Sequence, residues 1–291
     1  MRLLKPIALC ICLLMAGCSG GSQKTYIKIK GSETVLPISL ELAELFTTTP
    51  NLPDVSVTAG GSGVGIAALL EDNTDIAMAS RAMKFQEKAR FKAKGMEYVE
   101  VVVAFDALAL IVHKDNPVDT LTLEQVQKIF TGEITNWQQV GGNDQDIVAF
   151  NRESSSGTYG FFKKKVLKGL KFGSLQSVGA NGELVEKVSD NPQTIGYVGI
   201  AYADPSRVKP IAIYNPELKK SVAPSIPNAM NESYPLNRPL FYYYLAEDRN
   251  RLQPIFNYLL SQEGQEMVYN VGYPPNPEYY QLSQDPEHSP Q

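Results

Sequence analysis

Short apolar stretches alternate with segments of helical periodicity along most of the chain. The short stretches have the length of strands, and the segments between them carry apolar residues three and four positions apart. This alternation predicts an α/β protein. The predicted strands are residues 26–30, 55–59, 76–79, 147–151, 195–198 and 240–245; the predicted helices are residues 36–46, 85–93, 123–130, 159–167 and 182–189, a helix that ends at Leu70, and two closing helices within 248–271.

One apolar stretch, residues 99–112, is much longer than the others and is interrupted at Asp106. Its length suits a strand that leaves one domain and enters another, and the strand at 240–245 would carry the chain back. We therefore expect two α/β lobes joined by two hinge crossings, near residues 104–110 and 236–242. The predicted boundaries are residues 26–104 plus 241–280 for lobe 1, residues 105–240 for lobe 2 with proline-rich loops over much of 204–239, and a disordered tail at 281–291.

The first residues indicate export. Arg2 and Lys5 precede a short apolar run that ends at Ala16, and this run is too short to cross a bilayer, which takes about 20 residues. Small residues directly before Cys18 resemble the lipobox of bacterial lipoproteins, whose cysteine is lipidated; an ordinary cleaved signal with an incidental cysteine is the alternative. We expect a signal peptide at 1–17, a lipid-anchored tether at 18–25, and a protein in the periplasm or at the cell surface.

Charge and cysteine content exclude several classes of function. The chain has 27 basic and 31 acidic residues, and loss of Arg2 and Lys5 with the leader changes the net charge from −4 to −6. Nucleic acid is therefore a poor partner, and any anion site must be built locally. All three cysteines, Cys10, Cys12 and Cys18, lie in the leader and its boundary, which excludes disulfides and cysteine-based zinc or redox sites from the exported domain.

Three segments share one design, a strand followed by a Ser/Thr/Gly cluster where a helix starts. Unpaired N–H groups and the partial positive charge at helix starts attract anions, and hydroxyls add further donors. Each cluster alone is also an ordinary helix cap, but three together indicate an oxyanion site between lobes. Arg152, directly before the third cluster, could pair two oxygens of a tetrahedral anion, whereas Arg81 could bind the anion or pair with a carboxylate. The clusters are residues 31–34, 60–63 and 154–158.

The residue inventory argues against an enzyme. Only His113 and His288 are present, and neither accompanies a serine motif of the kind that hydrolases use. No P-loop or dinucleotide-binding glycine motif occurs, and the carboxylates lack metal-ligand spacing. We expect no cofactor and no metal, and we expect Trp137 and the tyrosines at 242–244 to pack in the core.

Taken together, the clusters resemble the substrate-binding proteins of phosphate ABC transporters, the PstS family. The resemblance covers nearly all of residues 26–275. It implies a type II periplasmic-binding-protein fold with inorganic phosphate held between the lobes. It also implies that a monomer, attached to the membrane through its lipid alone, delivers phosphate to permease subunits. Its segments are residues 31–37, 60–65, 76–81, 129–137, 152–158 and 195–198.

By motif position, the resemblance implies a phosphate site formed from both lobes. One departure is Arg81, which occupies the position where well-studied family members place an aspartate that accepts the phosphate proton and so rejects sulfate. Shorter members of the family resemble this chain in having Ser-Arg there. Asp106 is our candidate substitute acceptor, with Glu33 and Glu153 behind it. The predicted site residues are Ser32, Thr34, Val35, Ser62, Ser80, Arg81, Asp106, Arg152, Ser156, Gly157 and Thr158.

Three other functions remain open at this point. The chain could bind another oxyanion, such as sulfate or molybdate, with the same donors. It could be a secreted phosphatase, or a phosphate-sensing or adhesion lipoprotein that uses the same fold without a transporter.

Overall fold

The computed structural model describes residues 26–280, so the predictions for the leader, Cys18, the tether and the tail lie outside the described residues. The strands are β1 Tyr26–Gly31, β2 Asp54–Ala59, β3 Ile76–Ala79, β4 Tyr98–Val112, β5 Thr120–Leu121, β6 Val148–Arg152, β7 Gln176–Val178, β8 Thr194–Gly199, β9 Lys209–Asn215, β10 Lys220–Val222 and β11 Asn237–Leu245. The helices are α1 Leu36–Thr48, α2 Ser62–Leu70, α3 Phe85–Ala93, α4 Leu123–Thr131, α5 Gly157–Lys165, α6 Asn181–Asp190, α7 Ile226–Met230, α8 Arg249–Leu259 and α9 Gln262–Asn270.

The strands form a mixed sheet in the order β2-β1-β3-β11-β4-β8-β6-β7, and β9 pairs with β4, β5 and β10. β1 runs parallel to both β2 and β3, and β6 runs parallel to β7 and β8. Parallel strands end at the same edge of a sheet, and a helix follows each of β1, β2 and β6. The turns that lead into these helices therefore gather at sheet edges.

β4 is the strand that joins the two lobes. Its first part pairs with β11 from Tyr98 to Ala107, and its last part pairs with β8 and β9 from Leu108 to Val112. Every residue from Ala107 to Val112 is buried, which explains why the sequence there is continuously apolar instead of alternating. β11 returns the chain beside β4, so both predicted crossings are present.

The hydrophobic core is divided in the same way. Lobe 1 consists of β1–β3, the paired parts of β4 and β11, and helices α1–α3, α8 and α9. It contains two hydrophobic clusters, which lie on opposite faces of the sheet, one around Phe46 and one around Phe91. Lobe 2 consists of the elements from the last part of β4 to α7. Its larger cluster contains Phe130, Phe162 and the predicted core residue Trp137. The boundaries of the lobes at single-residue precision stay a prediction.

The prediction of loops over much of 204–239 holds for half of that range and missed β9, β10, α7 and the start of β11, which occupy the other half. Prolines concealed these elements. Pro210 lies near the start of β9, and Pro227 lies in the first turn of α7, where a missing N–H removes no helical hydrogen bond. Within residues 26–280, no helix is both long and apolar enough to cross a bilayer.

Candidate functional site

Three buried serines of lobe 1 meet where β1 and β3 end and α2 begins. The Ser32 hydroxyl donates to Ser80 Oγ at 3.0 Å, and the Ser80 N–H donates to Ser62 Oγ at 3.0 Å. Parallel pairing of β1 with β3 brings Ser32 and Ser80 to one edge, and Ser62 opens the helix that packs beside them. Two of the predicted clusters and the end of the third strand therefore converge.

Lobe 2 contributes the start of α5. Ser156 caps this helix, because its Oγ accepts the N–H of Thr158 at 3.2 Å and of Tyr159 at 3.4 Å. Gly157 lies directly against the lobe 1 serines: a Cβ there would clash with Ser62 Oγ and lie 2.5 Å from Ser80 Oγ. Only glycine permits this close approach.

The lobes also meet through two threonine hydroxyls. Thr34, before α1, and Thr158, in the first turn of α5, place their Oγ1 atoms 2.9 Å apart. Both side chains are buried. Beside them, the Gly63 N–H at the start of α2 donates to the Ser155 carbonyl at 3.0 Å. Hydroxyls and helix starts from opposite lobes are thus in direct contact.

An ion pair joins the two crossing strands next to these hydroxyls. Arg238 of β11 lies opposite Asp106 of β4, and its Nε and Nη2 donate to Asp106 Oδ2 at 2.9 and 2.7 Å. The other carboxylate oxygen accepts the Ile200 N–H at 2.9 Å. The Arg238 and Asp106 side chains are 1% and 0% exposed, so each charge depends on the other for its stabilisation.

Arg238 also reaches the hydroxyls of both lobes. Its Nη2 lies 3.1 Å from Thr158 Oγ1 and 3.5 Å from Thr34 Oγ1, and its Nη1 donates to the Ser80 carbonyl at 3.2 Å. A guanidinium presents five N–H donors, and an oxyanion among these groups would find a full positive charge beside several hydroxyls. Arg238 is therefore a cation in direct hydrogen-bonding contact with hydroxyls of both lobes.

Arg152 is buried at the end of β6, but its donors point to its own lobe. They bond to the carbonyls of Val178 and Gly179 and to Asn181 Oδ1. Burial lowers the pKa of Arg152, which the nearby Glu33 carboxylate partly opposes, and burial raises the pKa of Glu33. Arg152 thus adds a buried positive charge near Glu33, and its hydrogen bonds go to Val178, Gly179 and Asn181 of its own lobe.

Arg81 lies beside the hydroxyls and pairs with a carboxylate, as one of the two alternatives predicted. Its two terminal nitrogens each bond to Glu87 at 2.7 Å. Burial raises the pKa of Glu87, but the hydrogen bonds and charges of Arg81 and Lys84 outweigh it, so the pKa is lowered overall. The Arg81 side chain packs against Gly160 of lobe 2, where a Cβ would lie 3.1 Å from Arg81 Cδ, so the two lobes are in close contact there.

The other predicted site residues are distributed as follows. Val35 is buried in the lobe 1 core, and its N–H donates to the Ser32 carbonyl at 3.1 Å. Of the candidate proton acceptors, Asp106 is fully buried and bound to Arg238, Glu33 is half-buried, and Glu153 is exposed. No group of three or more potential ligand residues that could hold a metal occurs between residues 26 and 280.

Sequence reasoning missed Arg238 altogether. A usable signal existed, since Asp106 and Arg238 each place one charge at a predicted crossing between the lobes. Two opposite charges at adjacent apolar crossings indicate a buried pair, because either charge alone would be strongly destabilising.

Comparisons with known proteins show the family of the chain. The sequence model of the PBP superfamily domain matches residues 19–263. The phosphate-binding protein PstS of Pseudomonas aeruginosa is 34% identical over 266 residues, 85% of this chain and 82% of that protein.

Two solved structures are similar in fold and in sequence. One is a phosphate ABC transporter substrate-binding protein of Clostridium perfringens with bound phosphate, with a TM-score of 0.77 and 33% identity over 87% of this chain and 100% of that one. An ABC-type phosphate transport receptor of Vibrio cholerae has a TM-score of 0.69 and 31% identity over 85% of this chain and 98% of that one. The predicted periplasmic-binding-protein fold is confirmed. The chain belongs to the PBP superfamily and, within it, to the PstS family of phosphate-binding proteins.

Proposed function

We propose that the chain binds inorganic phosphate between its lobes and delivers it to the permease of an ABC-type importer, without catalysing a reaction. The observation that carries this proposal is the convergence of buried hydroxyls from both lobes beside the Arg238 guanidinium. The names of the similar proteins, which include phosphate-binding and phosphate-transport proteins, support the same ligand. The hydroxyls belong to Ser32, Thr34, Ser62, Ser80 and Thr158.

Hydroxyls suit phosphate because each one both donates and accepts a hydrogen bond. The serines of lobe 1 would bind one side of the anion, and Thr158 with the backbone at Gly157 would bind the other side. Arg238 would supply the principal positive charge, and Arg152 would add a second cation behind the start of α5. Binding would thus depend on both lobes, which couples phosphate capture to closure of the lobes.

Selectivity against sulfate requires an acceptor for the proton that phosphate carries at neutral pH. A carboxylate oxygen facing that position would repel fully ionised sulfate. Asp106 stays our candidate: Oδ2 accepts two bonds from Arg238, whereas Oδ1 accepts only the Ile200 N–H and has one acceptor position left. Glu33 is the second candidate, and the exposure of Glu153 makes it the weakest.

We further propose that the protein acts after export, as a monomer held at the membrane by lipidated Cys18. The positive n-region and short apolar run of the leader, and the small residues before Cys18, support this location. The polar residues that follow Cys18 would serve as a flexible tether between the anchor and the folded domain.

Calorimetric titration of phosphate-depleted protein with phosphate, and separately with sulfate, tests the proposed function. We expect one-to-one phosphate binding with a free energy of about −8 kcal/mol, corresponding to a micromolar dissociation constant, and no heat from sulfate. Equal binding of sulfate would indicate a general oxyanion receptor. An absence of heat from both anions would contradict the proposal, and turnover of a chromogenic phosphomonoester would indicate a phosphatase instead.

A further inference from the structure

A cavity of about 610 Å³ opens beside the candidate phosphate site, and its charged lining is entirely basic. Arg238, which contacts the threonine hydroxyls, forms part of its lining, and Arg81 lies in its lobe 1 wall. Lys84 of lobe 1 and Lys164 and Lys165 of lobe 2 complete the charged lining. The remaining lining residues are uncharged.

The basic lining extends onto the surrounding surface. A neighbouring cavity of about 590 Å³ is lined by Lys84, Lys163, Lys164 and Lys168, and again by no acidic side chain. We call Lys84, Lys163, Lys164, Lys165 and Lys168 the lysine rim. Between residues 26 and 280, no ion pair joins Lys163, Lys164 or Lys165 to a carboxylate.

The lysine rim contrasts with the charge of the whole molecule. The chain has a net charge of −4, yet residues 159–171 contain five lysines and no acidic residue. Part of this bias has a local cause, since Lys163, Lys164 and Lys165 occupy the last turn of α5, where cations interact favourably with the helix dipole. That cause does not extend to Lys84, which faces them from the other lobe. The rim is therefore a feature of the cavity mouth and not of one helix.

We propose that this cavity is the route by which phosphate reaches its site, and that the lysine rim accelerates its association. This inference rests on the proposed function. A cleft lined by charges of one sign concentrates ions of the opposite sign and raises association rate constants, by about 10-fold or more in strong cases. The cavity leads inward from the lysines to the buried guanidiniums of Arg81 and Arg238, whose charges are paired with Glu87 and Asp106. The uncompensated positive charge therefore lies at the mouth, and the cavity ends at Arg238, which contacts the hydroxyls of both lobes.

The rim acts on association and not on the bound state. The rim lysines, of which all but the half-buried Lys163 are exposed, hydrogen-bond to none of the converging hydroxyls, so they should leave the dissociation rate constant unchanged. Their effect should also weaken with added salt, because charges at the surface are screened over a Debye length of about 10 Å at 0.1 M.

Stopped-flow mixing with phosphate, followed by intrinsic protein fluorescence, tests this inference. The test variant is Lys163→Gln/Lys164→Gln/Lys165→Gln. The control is Lys28→Gln/Lys114→Gln/Lys220→Gln, which removes the same charge from three exposed lysines that line neither cavity. We expect the test variant to associate about three- to tenfold more slowly than the control at low ionic strength, with the difference shrinking as salt screens the charges.

Each other outcome has a distinct meaning. Equal association rate constants for the test variant and the control at low salt would overturn the proposal. An increased dissociation rate constant with unchanged association would also overturn it, because the lysines would then act on the bound state. Failure of the unmodified protein to bind phosphate would instead refute the proposed function.

Discussion

Replacing Arg238 with methionine removes the cation on which the buried Asp106 carboxylate depends. Two hydrogen bonds, of 2.9 and 2.7 Å, would be lost from Asp106 Oδ2, and the carboxylate would stay fully buried. Loss of one partner from a buried ion pair destabilises a protein by about 3–5 kcal/mol. We therefore expect the free energy of unfolding of Arg238→Met to fall by this amount.

The double variant Asp106→Asn/Arg238→Met separates folding from phosphate binding. Removing both charges eliminates the unpaired carboxylate, so much of the lost stability should return, although the NH2 group of the new side-chain amide would lack a partner. Phosphate binding should not return, because the guanidinium beside Thr34 and Thr158 is absent. Loss of a charge-assisted hydrogen bond worth about 1.5–3 kcal/mol corresponds to phosphate affinity that is weaker by about 10- to 150-fold.

Urea unfolding measures the stability of these variants, and calorimetric titration measures phosphate affinity. Arg251→Met is a matched control, since Arg251 pairs with Asp75 and Asp248 but is 33% exposed; we expect a loss of at most about 1 kcal/mol and unchanged binding. Phosphate affinity equal to that of the unmodified protein in the double variant would refute a role for Arg238 in the site. A stable Arg238→Met variant would refute the dependence of Asp106 on it.

Three further predictions concern the rest of the site. Gly157→Ala should weaken phosphate affinity at least about tenfold in calorimetry, because the Cβ of the alanine would clash with Ser62 Oγ. The control is Gly182→Ala, which should bind phosphate normally because the space around Gly182 is open. Arg152→Ala should fold but bind phosphate at least about tenfold more weakly; unchanged affinity would exclude Arg152 from the site. Glu33→Gln should raise the melting temperature at pH 7, because burial raises the pKa of Glu33 and its ionised form therefore opposes folding. This gain should vanish as the pH falls below the ordinary value of 4.5, and a gain that persisted at pH 3 would contradict the reasoning.

Sequence periodicity was sufficient to predict the two lobes and the strand that joins them. The apolar run around Asp106 marked β4 as the strand joining the lobes, since a strand covered on both faces loses the alternation of a half-exposed one. Periodicity failed between residues 204 and 239, where prolines interrupt the pattern without preventing β9 or α7 from forming.

The candidate site could be predicted only in part, for a different physical reason. Ser32, Ser62 and Gly157 were predictable because helix starts after parallel strands place short donors at sheet edges. The partners of the charged residues were not, because they depend on contacts between distant segments. Arg238 and Asp106 are brought together only by the antiparallel register of β11 and β4.

A crystal structure of the protein grown with phosphate tests the central claim most directly. We predict one phosphate between the lobes, with oxygens within hydrogen-bonding distance of the Thr34 and Thr158 hydroxyls and of Arg238. Phosphate bound by residues of one lobe alone, or found only outside the cleft, would contradict the account.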